Sequence, residues 1–515
     1  MRQYLIGIDI GTSGCKSILT DERGHIEAEA FYGYDLSIPQ TGWCEQDPED
    51  WWMAVKVTLK KILEGFKQVR DIVGIGLSGQ MHGLVLLDKN SAVLRPCIIW
   101  ADQRTEKQCR EIYDRVGGPD ELLKLTNNKM LTGYTGGKLL WVRENEPAIY
   151  EKIKMVLNPK DYIRFMMTGE YATEVSDASG TGFLNVKKRE WSYELLNKLN
   201  IPIELLPACY ESTEVSGNLS KSISDEFGLP AGLPVVGGGG DAIIQSVGSG
   251  LVRSGILSAT IGTGGQICAL LDRYYDNADG KLQLFCNVIP GKWHAMGVML
   301  TAGGAMKWLK DLLLDKGFLF GGDASETLPK GNIYELLDEE ASSVEPGSKG
   351  LIFLPYLNGE RCPYNDPEAR GSFVGLNLQH RRPHLVRSVL EGVVFGLRDI
   401  SQIIKGFGYT PEQVFLSGGG ANSNLWRQIT ADILNTEVLT MKAAAYGGAF
   451  GAALIAGTGV GVWSTVEEAA KVLEVGTRNS PIQKNAEKYN QLFPIYHDLY
   501  GALSKEFRKL ARLRF

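Results

Sequence analysis

Asp241 closes the run Val235-Val236-Gly237-Gly238-Gly239-Gly240 and opens the helix-period segment Ala242, Ile243, Ile244, Val247. A carboxylate at such a junction can accept a proton from an attacking hydroxyl, and the glycines before it leave room for a substrate at close range. The positive end of a helix favours its ionised form. A plain capping aspartate has the same address, but four consecutive glycines exceed what capping alone requires. Phosphoryl transfer is a reaction that uses such a base beside groups that hold phosphate.

Phosphate-holding groups are found at two glycine-rich breaks, Ile8-Asp9-Ile10-Gly11-Thr12-Ser13-Gly14 and Ala259-Thr260-Ile261-Gly262-Thr263-Gly264-Gly265. Glycine lets backbone N–H groups approach an anion, and the hydroxyls of Thr12, Ser13 and Thr263 add donors from two sides, with Gly264 in one tip and Lys16 near the other. Either tip alone reads equally as a bare hairpin turn. Neither fits GxxxxGK[ST], so the chain has no P-loop, and Gly11-Thr12-Ser13-Gly14 does not supply the GxGxxG of a dinucleotide-dependent oxidoreductase. Asp9, just before the first tip, suits a divalent cation held through water, or a strand-end carboxylate bonded to its own turn.

Polyol chemistry has candidates too. Gly79-Gln80-Met81-His82-Gly83 brackets three side chains with glycines at a strand end, where Gln80 and His82 can donate to sugar hydroxyls. A lone histidine can equally be structural. Trp100-Ala101-Asp102-Gln103-Arg104 offers an aromatic face, an acceptor and a donor within one turn, a combination that suits a polyol.

The elements that must position these residues follow an α/β pattern, short apolar strands alternating with helix-period segments over 515 residues, too long for one core. Asp47, Pro48, Glu49 and Asp50 start one helix, and Val55, Leu59, Ile62, Leu63 and Phe66 give its buried stripe. The two tips, and the two strand–glycine–helix junctions ending at Asp241 and at Gly418-Gly419-Gly420, repeat one plan. The chain therefore reads as a duplicated domain joined near 245–257, with an N-terminal domain over 1–247 and a C-terminal one over 248–515. Net charge is −6 and Lys and Arg are spread along the chain, which leaves no electrostatic footprint for nucleic acid. The eight cysteines form no CxxC pair, as expected of reduced thiols in the cytoplasm. No signal peptide and no apolar stretch of membrane-spanning length is read, so no membrane partner is expected.

Two long segments carry a resemblance: Gly133-Tyr134-Thr135-Gly136-Gly137-Lys138-Leu139-Leu140-Trp141-Val142-Arg143-Glu144-Asn145, and Gly371-Ser372-Phe373-Val374-Gly375-Leu376 followed after seven residues by His384-Leu385-Val386-Arg387-Ser388-Val389-Leu390-Glu391. With Gln80-Met81-His82-Gly83, Asn158-Pro159-Lys160-Asp161-Tyr162 and Leu354-Pro355-Tyr356-Leu357-Asn358-Gly359-Glu360-Arg361, they make the chain resemble the FGGY carbohydrate kinases over nearly its whole length. The resemblance implies two actin-like (ribonuclease H-like) α/β domains with an inter-domain cleft, sugar held by the first and nucleotide by the second. It implies ATP with Mg2+, Asp241 as catalytic base, and Met81 and His82 against a ketose. It further implies Gly262 and Thr263 at the phosphates, and Trp308, Gly419, Gly420 and Asn424 at the adenosine. The partners are a small ketose and at most a second copy of the chain. D-xylulose is the expected acceptor; ribulose or another polyol is the alternative, and a non-sugar actin-like ATPase the remote one. One departure bears on that choice. The family usually places Asn or Gln after the catalytic aspartate, and Ala242, which cannot hydrogen-bond a hydroxyl, stands here.

Overall fold

The apolar run at the start forms β1 (Tyr4–Ile10), buried along its length as suits a strand covered on both faces. It turns into antiparallel β2 (Gly14–Asp21), which pairs with β3 (Ile26–Gly33). On its other side β1 lies parallel to β4 (Ile72–Gly79). β5 (Val215–Asn218) and β6 (Pro234–Val236) continue the sheet, giving the order β5-β6-β4-β1-β2-β3, and the short β7 (Gly239–Gly240) also runs parallel to β4. The structure, a computed structural model, describes residues 2–314 and 332–513.

Strand alternation assigns the two faces of this sheet. Ile6, Ile8 and Ile10 meet Trp51, Val55 and Leu59 of the helix Pro48–Leu63, which begins as its sequence predicts, with Asp47 accepting the Glu49 N–H at 3.0 Å. Phe66 falls beyond the helix end and packs edge-on against Tyr4, with ring centres 4.9 Å apart. The opposite face is covered by the helix Gly447–Gly459, built of small residues. It approaches so closely that a Cβ on Gly7 would sit 1.9 Å from the Ala449 carbonyl oxygen, and one on Gly76 1.9 Å from that of Ala452.

The second sheet repeats the plan. β8 (Ile256–Ile261) and β9 (Gly265–Leu271) form the hairpin, β10 (Trp293–Met299) lies beside β9, and β11 (Gln413–Ser417) runs parallel to β8. β12 (Glu437–Met441) follows in parallel and β13 (Val475–Asn479) antiparallel, giving β10-β9-β8-β11-β12-β13 for six of the seven strands of this sheet. The shared order of strands is the duplication read from the glycine tips, and it is the expected actin-like α/β arrangement. The chain divides into two compact units: Met1–Arg253, Leu270–His294 and Ala443–Glu474 make the first, and Ser254–Ala269, Ala295–Lys442 and Val475–Phe515 the second. All eight cysteines are free thiols. Among the described residues no helix is long and apolar enough to cross a membrane.

Candidate functional site

In the first unit the strand register assembles an acidic pair. Asp9 on β1 lies opposite Ser78 on β4, and Gly239 on β7 also pairs with Ser78, so Asp241 emerges two residues further on. Ser78 Oγ donates to Asp9 Oδ1 at 2.7 Å, while burial pushes the Asp9 carboxyl above its ordinary value. The glycine run before Asp241 has structural work of its own. Gly238 has φ +71°, and a Cβ there would lie 2.1 Å from the Leu77 carbonyl oxygen. A Cβ on Gly240 would lie 2.6 Å from Met81 Cγ, so the bare glycine is what admits the Met81 side chain.

Asp241 is not a helix cap. Gly240 holds that place and Asp241 is the first residue of the helix Asp241–Gly248. Its carboxylate accepts the Ala242 N–H at 2.7 Å and a second N–H from Met81. The helix-end argument expects an ionised group, and here it is outweighed: burial foremost, and the charge on Asp9, push the Asp241 carboxyl up to about 7 against those two N–H groups. Asp241 nonetheless keeps part of its surface exposed.

His82 follows Met81, whose N–H meets the Asp241 carboxylate. Its Nδ1 is 2.6 Å from the Gly180 carbonyl oxygen and so carries the proton, which leaves Nε2 as acceptor in the neutral ring. Gln80 turns inward: Nε2 donates to Gln46 Oε1 at 2.7 Å, and Gln46 Nε2 donates in turn to the Thr12 carbonyl at 2.7 Å. Thr12 Oγ1 accepts the half-exposed Trp100 indole N–H at 2.8 Å, and Ser13 is exposed at the same tip. Asp102 is fully buried, accepting the Cys44 N–H at 2.7 Å and Arg104 Nη2 at 2.7 Å.

A buried charge cluster holds the glycine run from beneath. Ser176 Oγ accepts the Gly240 N–H at 3.1 Å and donates to Glu174 at 2.9 Å. Lys160 Nζ lies 2.5 Å from Asp161 and 3.7 Å from both Glu174 and Asp177, and it donates to the Gly237 carbonyl at 3.3 Å. Sequence spacing does not reveal Ser78, Gln46, Ser176 or Gly180, because each reaches the site through strand register or a distant loop.

The second unit holds a cavity of about 520 Å³. Gly262, Thr263, Gly419 and Gly420 line it together. The Thr263 carbonyl accepts the Ala302 and Gly304 N–H groups at 2.8 and 3.0 Å, which anchors the tip to the start of the helix Gly303–Leu314. Gly418 has φ +83°, and a Cβ on it would lie 2.6 Å from the Ile261 carbonyl oxygen. Trp308 and Asn424 are not among the described residues that line the cavity. Trp308 stacks on Phe353 with ring centres 6.2 Å apart, and Asn424 Oδ1 accepts Arg427 Nη2 at 3.2 Å. Trp426, with Asn422 and Ser423, lines it instead.

Comparison with known proteins gives a consistent picture. The family pattern described as the FGGY family of carbohydrate kinases matches twice, its N-terminal domain over residues 4–248 and its C-terminal domain over 257–460. The chain is 36% identical to the xylulose kinase of Bacillus subtilis over 518 residues, covering 98% of this chain and 100% of that one. A gluconokinase of the same organism is 31% identical over 515 residues, covering 99% of this chain and 98% of the other. The solved structure of a xylulose kinase from Rhodospirillum rubrum superposes with a TM-score of 0.89 at 30% identity, over 98% of this chain and 100% of that one.

Proposed function

The chain belongs to the FGGY family of carbohydrate kinases, and from that premise we propose that it transfers the γ-phosphoryl group of ATP to the terminal hydroxyl of D-xylulose, giving D-xylulose 5-phosphate. The observation that carries the reading is Asp241: a partly exposed carboxylate, fixed by two backbone N–H groups, whose affinity for a proton is raised into the range of a general base. It accepts the hydroxyl proton as the oxygen attacks phosphorus. Met81 packs against Gly240 under the sugar, and His82 Nε2 accepts from a ketose hydroxyl. Gln80 and Asp102 act through their neighbours, Gln80 by bracing the first tip through Gln46 and Asp102 by fixing Arg104.

The second unit takes the nucleotide. A cavity of about 520 Å³ is within the range of small-molecule sites. Thr263 and Gly262 meet the phosphates, and Gly419 and Gly420 lie under the adenosine with Trp426, while Trp308 and Asn424 are proposed to contribute to the same nucleotide site. Thr12 and Ser13 offer donors at the other tip. Among the described residues no group of three or more His, Cys, Asp and Glu can hold a metal by itself. Asp9 is instead a half-buried carboxylate that accepts the Ser78 hydroxyl, a setting in which it would hold Mg2+ as a single protein ligand. The chemistry such an ion would supply is neutralisation of phosphate charge.

The test is ADP release measured with D-xylulose, ribulose, gluconate and glycerol. D-Xylulose is expected to give the highest kcat/KM; ADP release indifferent to every sugar sinks the proposal. A different ketose or polyol is the second reading, favoured by Ala242. Ala242→Asn is expected to raise kcat/KM for D-xylulose by about 2- to 12-fold, the worth of one net hydrogen bond. Gly420→Ala separates the two substrates. The new Cβ would fall 2.5 Å from Ile261 Cγ2 and 3.1 Å from Trp426, so KM for ATP should rise by an amount set by about 1–3 kcal/mol of overpacking, with KM for the sugar unchanged.

A further inference from the structure

The segment Gly133–Lys138 touches neither Asp9 nor Asp241 in any contact described above, yet it converges on His82 from three directions. His82 has φ +70°, a left-handed conformation uncommon outside glycine. Its carbonyl oxygen accepts two donors from that segment, Thr135 Oγ1 at 3.1 Å and Lys138 Nζ at 2.8 Å. The Tyr134 ring stacks on the imidazole with centres 4.6 Å apart. Lys138 Nζ also donates to the Gly133 carbonyl at 2.7 Å, and a Cβ on Gly133 would lie 2.6 Å from the Trp100 carbonyl oxygen, so the segment is wedged against the turn that carries Trp100.

Lys138 is an unusual choice for this place. Its side chain is fully buried, and among the described residues no carboxylate lies within ion-pair distance of Nζ, whose hydrogen-bond partners are both neutral carbonyls. A buried cation with no carboxylate in contact is costly, and burial, only partly offset by Asp102, pushes the ammonium down to about 7. Charged or neutral, the amine keeps at least two N–H bonds and can serve both carbonyls. What the position requires is a long donor that ties two backbone oxygens together.

We propose that Lys138 is a positioning residue for sugar recognition: with Thr135 it latches the His82 backbone in its left-handed turn, so that Nδ1 meets Gly180 and Nε2 points at the ketose. Lys138 acts through His82 and does not touch the sugar. The inference rests on the reading of His82 as a ketose contact.

A double-mutant cycle on the full-length enzyme tests it, with D-xylulose and ATP as substrates and thermal unfolding recorded for every variant. Lys138→Met and His82→Ala are each expected to lower kcat/KM for the sugar by about tenfold, with KM for ATP within about twofold, and the double variant to be no worse than His82→Ala alone, as for groups in one network. Multiplying losses in the double variant, or a folded Lys138→Met with unchanged sugar kinetics, overturn the latch. An unchanged His82→Ala overturns the reading of His82 as a sugar contact, and the latch with it. Should Lys138→Met fail to fold, Thr135→Val removes the other donor to the His82 carbonyl. It is expected to show a smaller sugar defect with the same lack of additivity, and additivity there overturns the proposal.

Discussion

Asp241→Asn is expected to lower kcat by about two to four orders of magnitude, the scale of a positioned base, while making the ligand-free protein more resistant to unfolding above neutral pH. The two effects share a cause. An aspartate in the unfolded chain titrates near 3.8, and burial together with Asp9 pushes Asp241 up to about 7 in the folded one. The folded state therefore binds this proton more tightly. Its stabilising contribution is complete below pH 3.8 and is lost as pH rises through about 7. Asparagine has no proton to lose, so the stability gap in favour of the variant should open across that interval and then level off. Urea unfolding at pH 5 and pH 8, with a chelator present, measures it. In the unaltered enzyme kcat/KM should climb with pH and reach its plateau above about 7, because the base must be ionised to accept the hydroxyl proton. A folded Asp241→Asn enzyme with near-normal turnover would rule out the assignment.

Lys160→Met should cost about 3–5 kcal/mol of unfolding free energy, the usual penalty for removing one partner of a buried ionic group. The cluster it breaks has two cations, Lys160 and Arg164, and three acids, Asp161, Glu174 and Asp177, all fully or almost fully buried. Burial pushes the Asp177 carboxyl well above its ordinary value, against the pull of Lys160. Burial also pushes Asp161 upward, but Lys160 and Arg164 together overcome it and hold that carboxyl below its ordinary value. Met at 160 removes the cation that faces all three carboxyl groups. The contrast variant is Asp177→Asn, at the carboxyl whose charged form burial disfavours, and it should cost less than Lys160→Met. Equal losses in the two variants would overturn this ranking. Because Lys160 also holds the Gly237 carbonyl, the loss should be accompanied by weaker sugar binding.

How much of this was legible beforehand depended on distance along the chain. The tips, the glycine junction at Asp241 and the capped helix after Asp47 are local patterns, and each forms where the sequence puts it. Ser78 was out of reach because it meets Asp9 through the parallel register of β1 and β4. The raised titration of Asp241 is invisible in the sequence, which shows the helix end but neither the burial nor the Asp9 carboxylate that outweigh it. Asp102 reads as a free acceptor until Arg104, two residues on, folds back over it. Trp308 and Trp426 both sit on amphipathic helices, and only the fold tells which indole faces the cavity. Nor does any periodicity announce that Ala443–Glu474 returns to the first unit.

That return sets an order of events during synthesis. Gly7 and Gly76 are shaped to receive the helix Gly447–Gly459, so β1 and β4 leave the ribosome long before their cover exists. Until then the nascent sheet exposes an apolar face, and its completion waits on contacts far apart in the chain, which fold slowly and invite chaperones. A product cut short before residue 443 lacks that cover altogether, and quality-control proteases should degrade it in preference to the full-length chain.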